Sequence, residues 1–158
     1  MPSVFRRSRY LARNRPASRS RDTVPLSPNE TPDKEYEMTD HTAVAERYIA
    51  AWNETDAEAR AKAVAGLWTE DGGYTDPLAA VSGHEGVAAV IAGAQQMFPG
   101  FVFTLGGPVD GHHDTLRFTW HLGPEGAPEP VVIGFDVVAL AEDGRIRSVY
   151  GFLDKVPA

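Results

Sequence analysis

Cysteine is absent from the 158 residues, which removes disulfide staples, thiolate nucleophiles and thiolate metal sites at once. No apolar run approaches the length of a membrane span. Nucleotide loops of the G-x-x-x-x-G-K and G-x-G-x-x-G types are missing, as is a G-x-S-x-G elbow. The five histidines, His41, His84, His112, His113 and His121, have no H-x-x-x-H or H-E-x-x-H spacing, so no metal site is expected. What remains is 42% hydrophobic residues, enough for the core of one domain.

The formal net charge of -7 is unevenly placed. Residues 1–37 carry eight Lys/Arg against five Asp/Glu, and residues 38–158 carry seven against seventeen. The first segment holds seven arginines between Arg6 and Arg21, spaced by serine and proline, with no apolar periodicity. It is expected to be a disordered basic leader, with Met38 a candidate start, because such a segment buries too little apolar area to offset its ordering entropy. It lacks the apolar stretch of a secretory signal. The domain at 38–158 is acidic and repels phosphate backbones, so neither nucleic acid nor membrane is expected as a partner, and the location is expected to be cytoplasmic.

Val44, Tyr48 and Trp52 recur every four residues after Thr39-Asp40, which predicts a first helix running to about Asn53. The T-x-x-E spacing of Thr55 and Glu58 predicts a second helix, stopped by Gly72-Gly73. Ser82-x-x-Glu85 predicts a third, ended by Pro99-Gly100. Tyr74-Thr75-Asp76 reads as a short strand between them. From Phe101 onward, segments 101–105, 115–122, 131–141 and 145–153 are rich in β-branched and aromatic residues, and turn sequences divide them. Helices followed by a meander of strands define an α+β class. The expected architecture is a curved antiparallel sheet wrapped by three N-terminal helices and enclosing a pocket on its concave side.

Asp136 is the residue that least fits its surroundings. It lies within Val131–Leu140, and period two puts it on one face with Val132, Gly134, Val138 and Leu140. A carboxylate there either faces solvent or sits in an apolar site that raises its pKa and makes it a hydrogen-bond donor. Tyr48 lies on the apolar stripe of the first helix and needs a partner for its hydroxyl. Asp76 precedes Pro77, a setting in which aspartate also serves as a turn residue.

Three segments together resemble the ketosteroid isomerase branch of the nuclear-transport-factor-two-like superfamily, whose polyketide-cyclase-like members share the skeleton. They are Glu46–Ile49, Trp68–Pro77, and Phe135–Val138 followed by Glu142–Ile146. The resemblance spans residues 40–154 and implies a cone-shaped α+β fold, its curved antiparallel sheet enclosing an apolar pocket. It implies that Tyr48 and a protonated Asp136 donate to a substrate carbonyl while Asp76 moves the proton. The logic of a carboxylic acid kept neutral by an apolar site belongs to that enzyme class. Trp52, Phe103, Phe118, Trp120 and Phe152 are expected to line the pocket, and Ile91 stands where the isomerases often carry a supporting tyrosine. The implied ligand is a small apolar carbonyl compound, without metal or organic cofactor, and the implied assembly is a homodimer. Two alternatives share the skeleton. One is a cyclase or dehydratase, the latter needing His121 or His113 in the pocket. The other is a non-catalytic ligand-binding module.

Overall fold

The computed structural model describes residues 39–158; the leader assigned to 1–37 lies outside them. Three helices precede and interrupt a curved, unclosed sheet: α1 His41–Asn53, α2 Ala57–Leu67, β1 Trp68–Thr75, β2 Ala80–Ser82, α3 His84–Met97, β3 Phe101–Leu105, β4 Asp110–His112, β5 Thr115–Pro124, β6 Val132–Leu140 and β7 Ile146–Lys155. The order across the sheet is β2-β1-β7-β6-β5-β3, and β4 shares the free edge of β5 with β3. The sheet is mixed rather than wholly antiparallel, because β1 runs parallel to β7.

Local chemistry sets the helix starts. Asp40 caps α1 by accepting from the Ala43 amide at 3.0 Å. Two predicted caps are displaced. Asp56, not Thr55, caps α2 by accepting from the Ala59 amide at 2.8 Å, three residues on, the first-turn donor that an N-cap side chain serves. Ser82 ends β2, and α3 starts from Gly83 at φ 83° with no side-chain cap; that left-handed backbone suits glycine. Gly72-Gly73 do not stop α2, which ends at Leu67. They lie in β1, which starts at Trp68 and carries an irregularity before Gly73.

All three helices cover one face of the sheet. Tyr48 of α1, Val64 of α2, and Val87 and Ile91 of α3 are buried with Phe118, Val138 and Val149 from the strands. β6 alternates strictly between buried and half-buried positions, so Val132, Gly134, Asp136, Val138 and Leu140 all face the helices. Trp120 of β5 pairs with Gly134 of β6. A β-carbon at 134 would overlap the Trp120 indole, so this glycine lets the ring lie against the strand. Gly134→Ala is therefore expected to cost about 1–3 kcal/mol, the usual range for forced overpacking, and to move the Trp120 fluorescence. Urea unfolding checks it; an unchanged midpoint and spectrum would contradict the packing.

Candidate active site

Asp136 is 1% exposed and is the one charged residue in the core of the described domain. Its two oxygens are both occupied. The Tyr48 hydroxyl donates to Oδ2 at 2.6 Å, and the Trp120 indole Nε1 donates to Oδ1 at 3.1 Å. Burial pushes its pKa up; the bonds from Tyr48 and Trp120 pull it down, and nearby Asp76 adds a small upward push. Burial wins, and the value rises from 3.8 to about 6. Burial likewise pushes the Tyr48 phenol well above 10, reinforced by the charge of Asp136.

Asp76 stands on the other side of Gly151. A β-carbon at 151 would lie 3.0 Å from Asp136 Oδ1 and 3.2 Å from Asp76 Cβ, so the missing side chain seats both carboxyls. Asp76 Oδ1 accepts from the Leu78 and Ala79 amides, each at 2.8 Å, and Oδ2 accepts from the Tyr74 hydroxyl at 2.8 Å. The turn after β1 thus fixes the carboxylate. Tyr74 is two residues upstream, near the end of β1; the tyrosine escaped the sequence reading although its spacing from Asp76 carried the signal.

The cone opens into a cavity of about 380 Å³. Trp52, Phe103, Trp120, Tyr74 and Leu153 form much of its wall, and Leu78, Met97 and Val156 stand near its mouth, 73%, 61% and 56% exposed. Among the described residues, Asp76 is the only charged side chain in that wall. Beneath it is a second void of about 10 Å³ bounded by Tyr48, Ile49, Trp52, Tyr74, Phe103, Trp120 and Asp136. That volume holds about one oxygen-sized group. Trp52, Tyr74, Phe103 and Trp120 border both spaces.

The structure thus brings Tyr48, Asp136, Asp76, Trp52, Phe103 and Trp120 to one end of the cone. Two expected wall residues are elsewhere. Phe152 is 55% exposed and pairs with Phe135 on the opposite face, because strand parity turns Gly151 and Leu153 inward instead. Phe118 is buried behind the site, its ring edge-on to Tyr48 at 5.3 Å, and borders neither space. His121 lies on the outer face near Gly106, and His113 is exposed in a turn; neither borders the cavity. Among the described residues no helix is long and apolar enough to cross a membrane.

The SnoaL-like domain model matches residues 45–149, and the chain belongs to the SnoaL-like family. A solved structure from Agrobacterium tumefaciens C58, described as a candidate isomerase of that family, is 46% identical, with 74% of this chain and 99% of that one covered at a TM-score of 0.70. A candidate SnoaL-like polyketide cyclase from Jannaschia sp. CCS1 is 19% identical, covering 72% and 87% at a TM-score of 0.55, and shares the fold. A designed protein with a curved sheet is 13% identical and shares the same architecture at a TM-score of 0.57, covering 74% and 88%. No functionally curated protein matches this chain.

The elevated pKa of Asp136 has a definite consequence for stability. Its folded value, about 6, exceeds the ordinary 3.8, so between those values the folded protein binds more protons than the unfolded chain. The contribution is fully present below about pH 4 and is lost as the pH rises through 6. The difference is worth roughly 3 kcal/mol. Asp136→Asn can accept from Trp120 and donate to Tyr48 without a charge. Its unfolding free energy is expected to gain about that amount on wild type between pH 4 and pH 7. A difference independent of pH would contradict the buried carboxylate.

Proposed function

We propose that the chain catalyses proton transfer next to a carbonyl in a small, uncharged apolar ligand, through an enolate. The observation that carries this reading is the pairing of two carboxyls with unlike surroundings at the end of one apolar cavity: Asp136 buried against Tyr48, and Asp76 in the cavity wall. Asp76 is the base. Its carboxylate is held by two amides and a phenol and borders the space in which a carbon acid would lie. Asp136 and Tyr48 form the polar end. When Asp136 is neutral, the 2.6 Å contact can run the other way, from the acid O–H to the Tyr48 oxygen, and the phenol O–H becomes free to meet an enolate oxygen. An enolate beside an ionised Asp136 would be opposed by like charge, so turnover falls as the pH rises through the titration of that acid.

The family relationship and the Agrobacterium relative support an isomerase. Ring closure of a polyketide would use the same acid and cavity. The dehydratase version is less favoured, because no described histidine borders the cavity. Exchange of α-protons for deuterium, followed by NMR on small cyclic ketones and β,γ-enones, reads the common step of isomerisation and aldol closure. Asp76→Asn is expected to lower the exchange rate by roughly 10²-fold or more, within the range of a lost general base. Asp136→Asn should retain more rate than Asp136→Ala, since it keeps a donor. Full exchange by Asp76→Asn on a ketone that wild type exchanges would refute the role of Asp76.

The assembly we propose is a homodimer through the outer face of the sheet. Phe135 pairs with Phe152 and Val137 with Tyr150 on that face, where Tyr150 and Phe152 are 50% and 55% exposed. A two-fold pairing would cover these rings with their own copies. Light scattering at micromolar concentration should give a dimer mass for wild type and a monomer mass for Phe152→Glu. A monomeric wild type would refute the pairing.

A further inference from the structure

Trp52 is 6% exposed, and its indole Nε1 has no hydrogen-bond partner among the described residues. A buried donor left unpaired costs about 1–3 kcal/mol, so its place in the molecule needs a reason. An unpartnered indole is not by itself a site, since the Nε1 of Trp68 is also buried and unpaired. The two differ in where they lie. Trp68 borders neither cavity, whereas Trp52 borders both the 380 Å³ cavity and the 10 Å³ void beside Tyr48 and Asp136. Its N–H is also near enough to the Tyr48 oxygen to be the one influence lowering that phenol's pKa, although the pair does not have hydrogen-bond geometry.

The ring is held firmly. Asn53 clamps α1 to β3, donating to the Phe103 carbonyl and accepting from its amide, each at 2.8 Å, and Gln95 donates to the Trp52 carbonyl at 2.9 Å. The indole packs between Tyr74 and Phe103, each with ring centroids 5.3 Å away. The other polar groups that border the void have partners: Tyr48 and Trp120 donate to Asp136, which accepts at both oxygens, and the Tyr74 hydroxyl donates to Asp76. The unpaired group is therefore a donor, and what complements it is an acceptor.

We infer that Trp52 Nε1 donates a hydrogen bond to the ligand oxygen, and that the small void selects ligands ending in an uncharged carbonyl over those ending in a hydrocarbon edge. This rests on the reading of the cavity as a carbonyl-ligand site and adds a binding residue and a chemical class to it. The body of the ligand fills the apolar cavity, and its oxygen alone enters the void.

Two probes of one shape separate the two claims: 1-indanone, and indane, which lacks the oxygen. The three tryptophans give three indole N–H signals in an NMR titration of the full chain, assigned from Trp52→Phe and Trp120→Phe. Indanone is expected to move the Trp52 signal downfield and leave Trp68 unmoved, while indane moves Trp52 much less. Indanone should also bind more tightly than indane by roughly ten-fold, the worth of one well-placed hydrogen bond. Trp52→Phe should reduce that preference to within about two-fold. If indanone binds and perturbs Leu153 and Phe103 but leaves the Trp52 N–H in place, the Trp52 assignment is overturned and the cavity reading stands. Equal binding of the two probes overturns the selectivity, and binding of neither overturns the cavity reading together with this inference. If Trp52→Phe fails to fold, nuclear Overhauser contacts of the Trp52 indole with Tyr74 and Phe103 assign its N–H, and the wild-type titration still decides the matter.

Discussion

A carboxyl group in the core, bonded by a phenol on one oxygen and an indole on the other, is the constraint around which the rest of this domain is arranged. Removing a carboxylate from water is costly unless it is neutralised or fully bonded. Asp136 has both remedies within reach, with two donors in place and a pKa of about 6 that brings the neutral form within range of physiological pH. The surrounding sequence serves that group. Gly134 makes room for the indole that reaches it, and Gly151 makes room for its own oxygen and for Asp76. Phe118 backs the tyrosine. A core selected for stability alone would place an apolar residue at 136, so the retained acid is an argument for use.

The two carboxyls differ because their surroundings differ. Asp76 is half exposed, in a turn whose Leu78 and Ala79 amides both donate to Oδ1. Asp136 has lost its water, and burial lifts its pKa to about 6. Like groups set in unlike surroundings are how one site provides an acid and a base together. The cone supplies the remainder, an apolar space with a single charged side chain in its wall among the described residues, where fixed donors act on a developing charge more strongly than in water. The SnoaL-like family uses this fold; the chemistry rests on the residues that line this particular example.

Much of this was legible in the sequence because strands and helices impose fixed periods. Asp136 shares parity with four apolar residues of β6, and its burial follows from that alternation. The four-residue spacing of Val44, Tyr48 and Trp52 fixed the face of α1 turned toward the sheet. What failed to show depended on long-range register. Phe152 and Leu153 differ by one position, and only the pairing of β7 with β6 decides which of them enters the cavity. The parallel pairing of β1 with β7, the glycine beneath Trp120 and the unpaired N–H of Trp52 likewise arise from contacts between distant segments. Adjacent capping residues competed on nearly equal terms at α2, where Asp56 displaced Thr55.

The protonation state of Asp136 is the quantity on which the account turns. Side-chain carboxyl carbons of aspartate, labelled with ¹³C and followed by NMR against pH, report it directly, and the Asp136→Asn variant assigns the signal. The arrangement predicts a titration midpoint of about 6 for Asp136, well above the ordinary 3.8. A midpoint at or below 3.8 would mean that the two hydrogen bonds outweigh burial, and would contradict the neutral acid at the centre of the site.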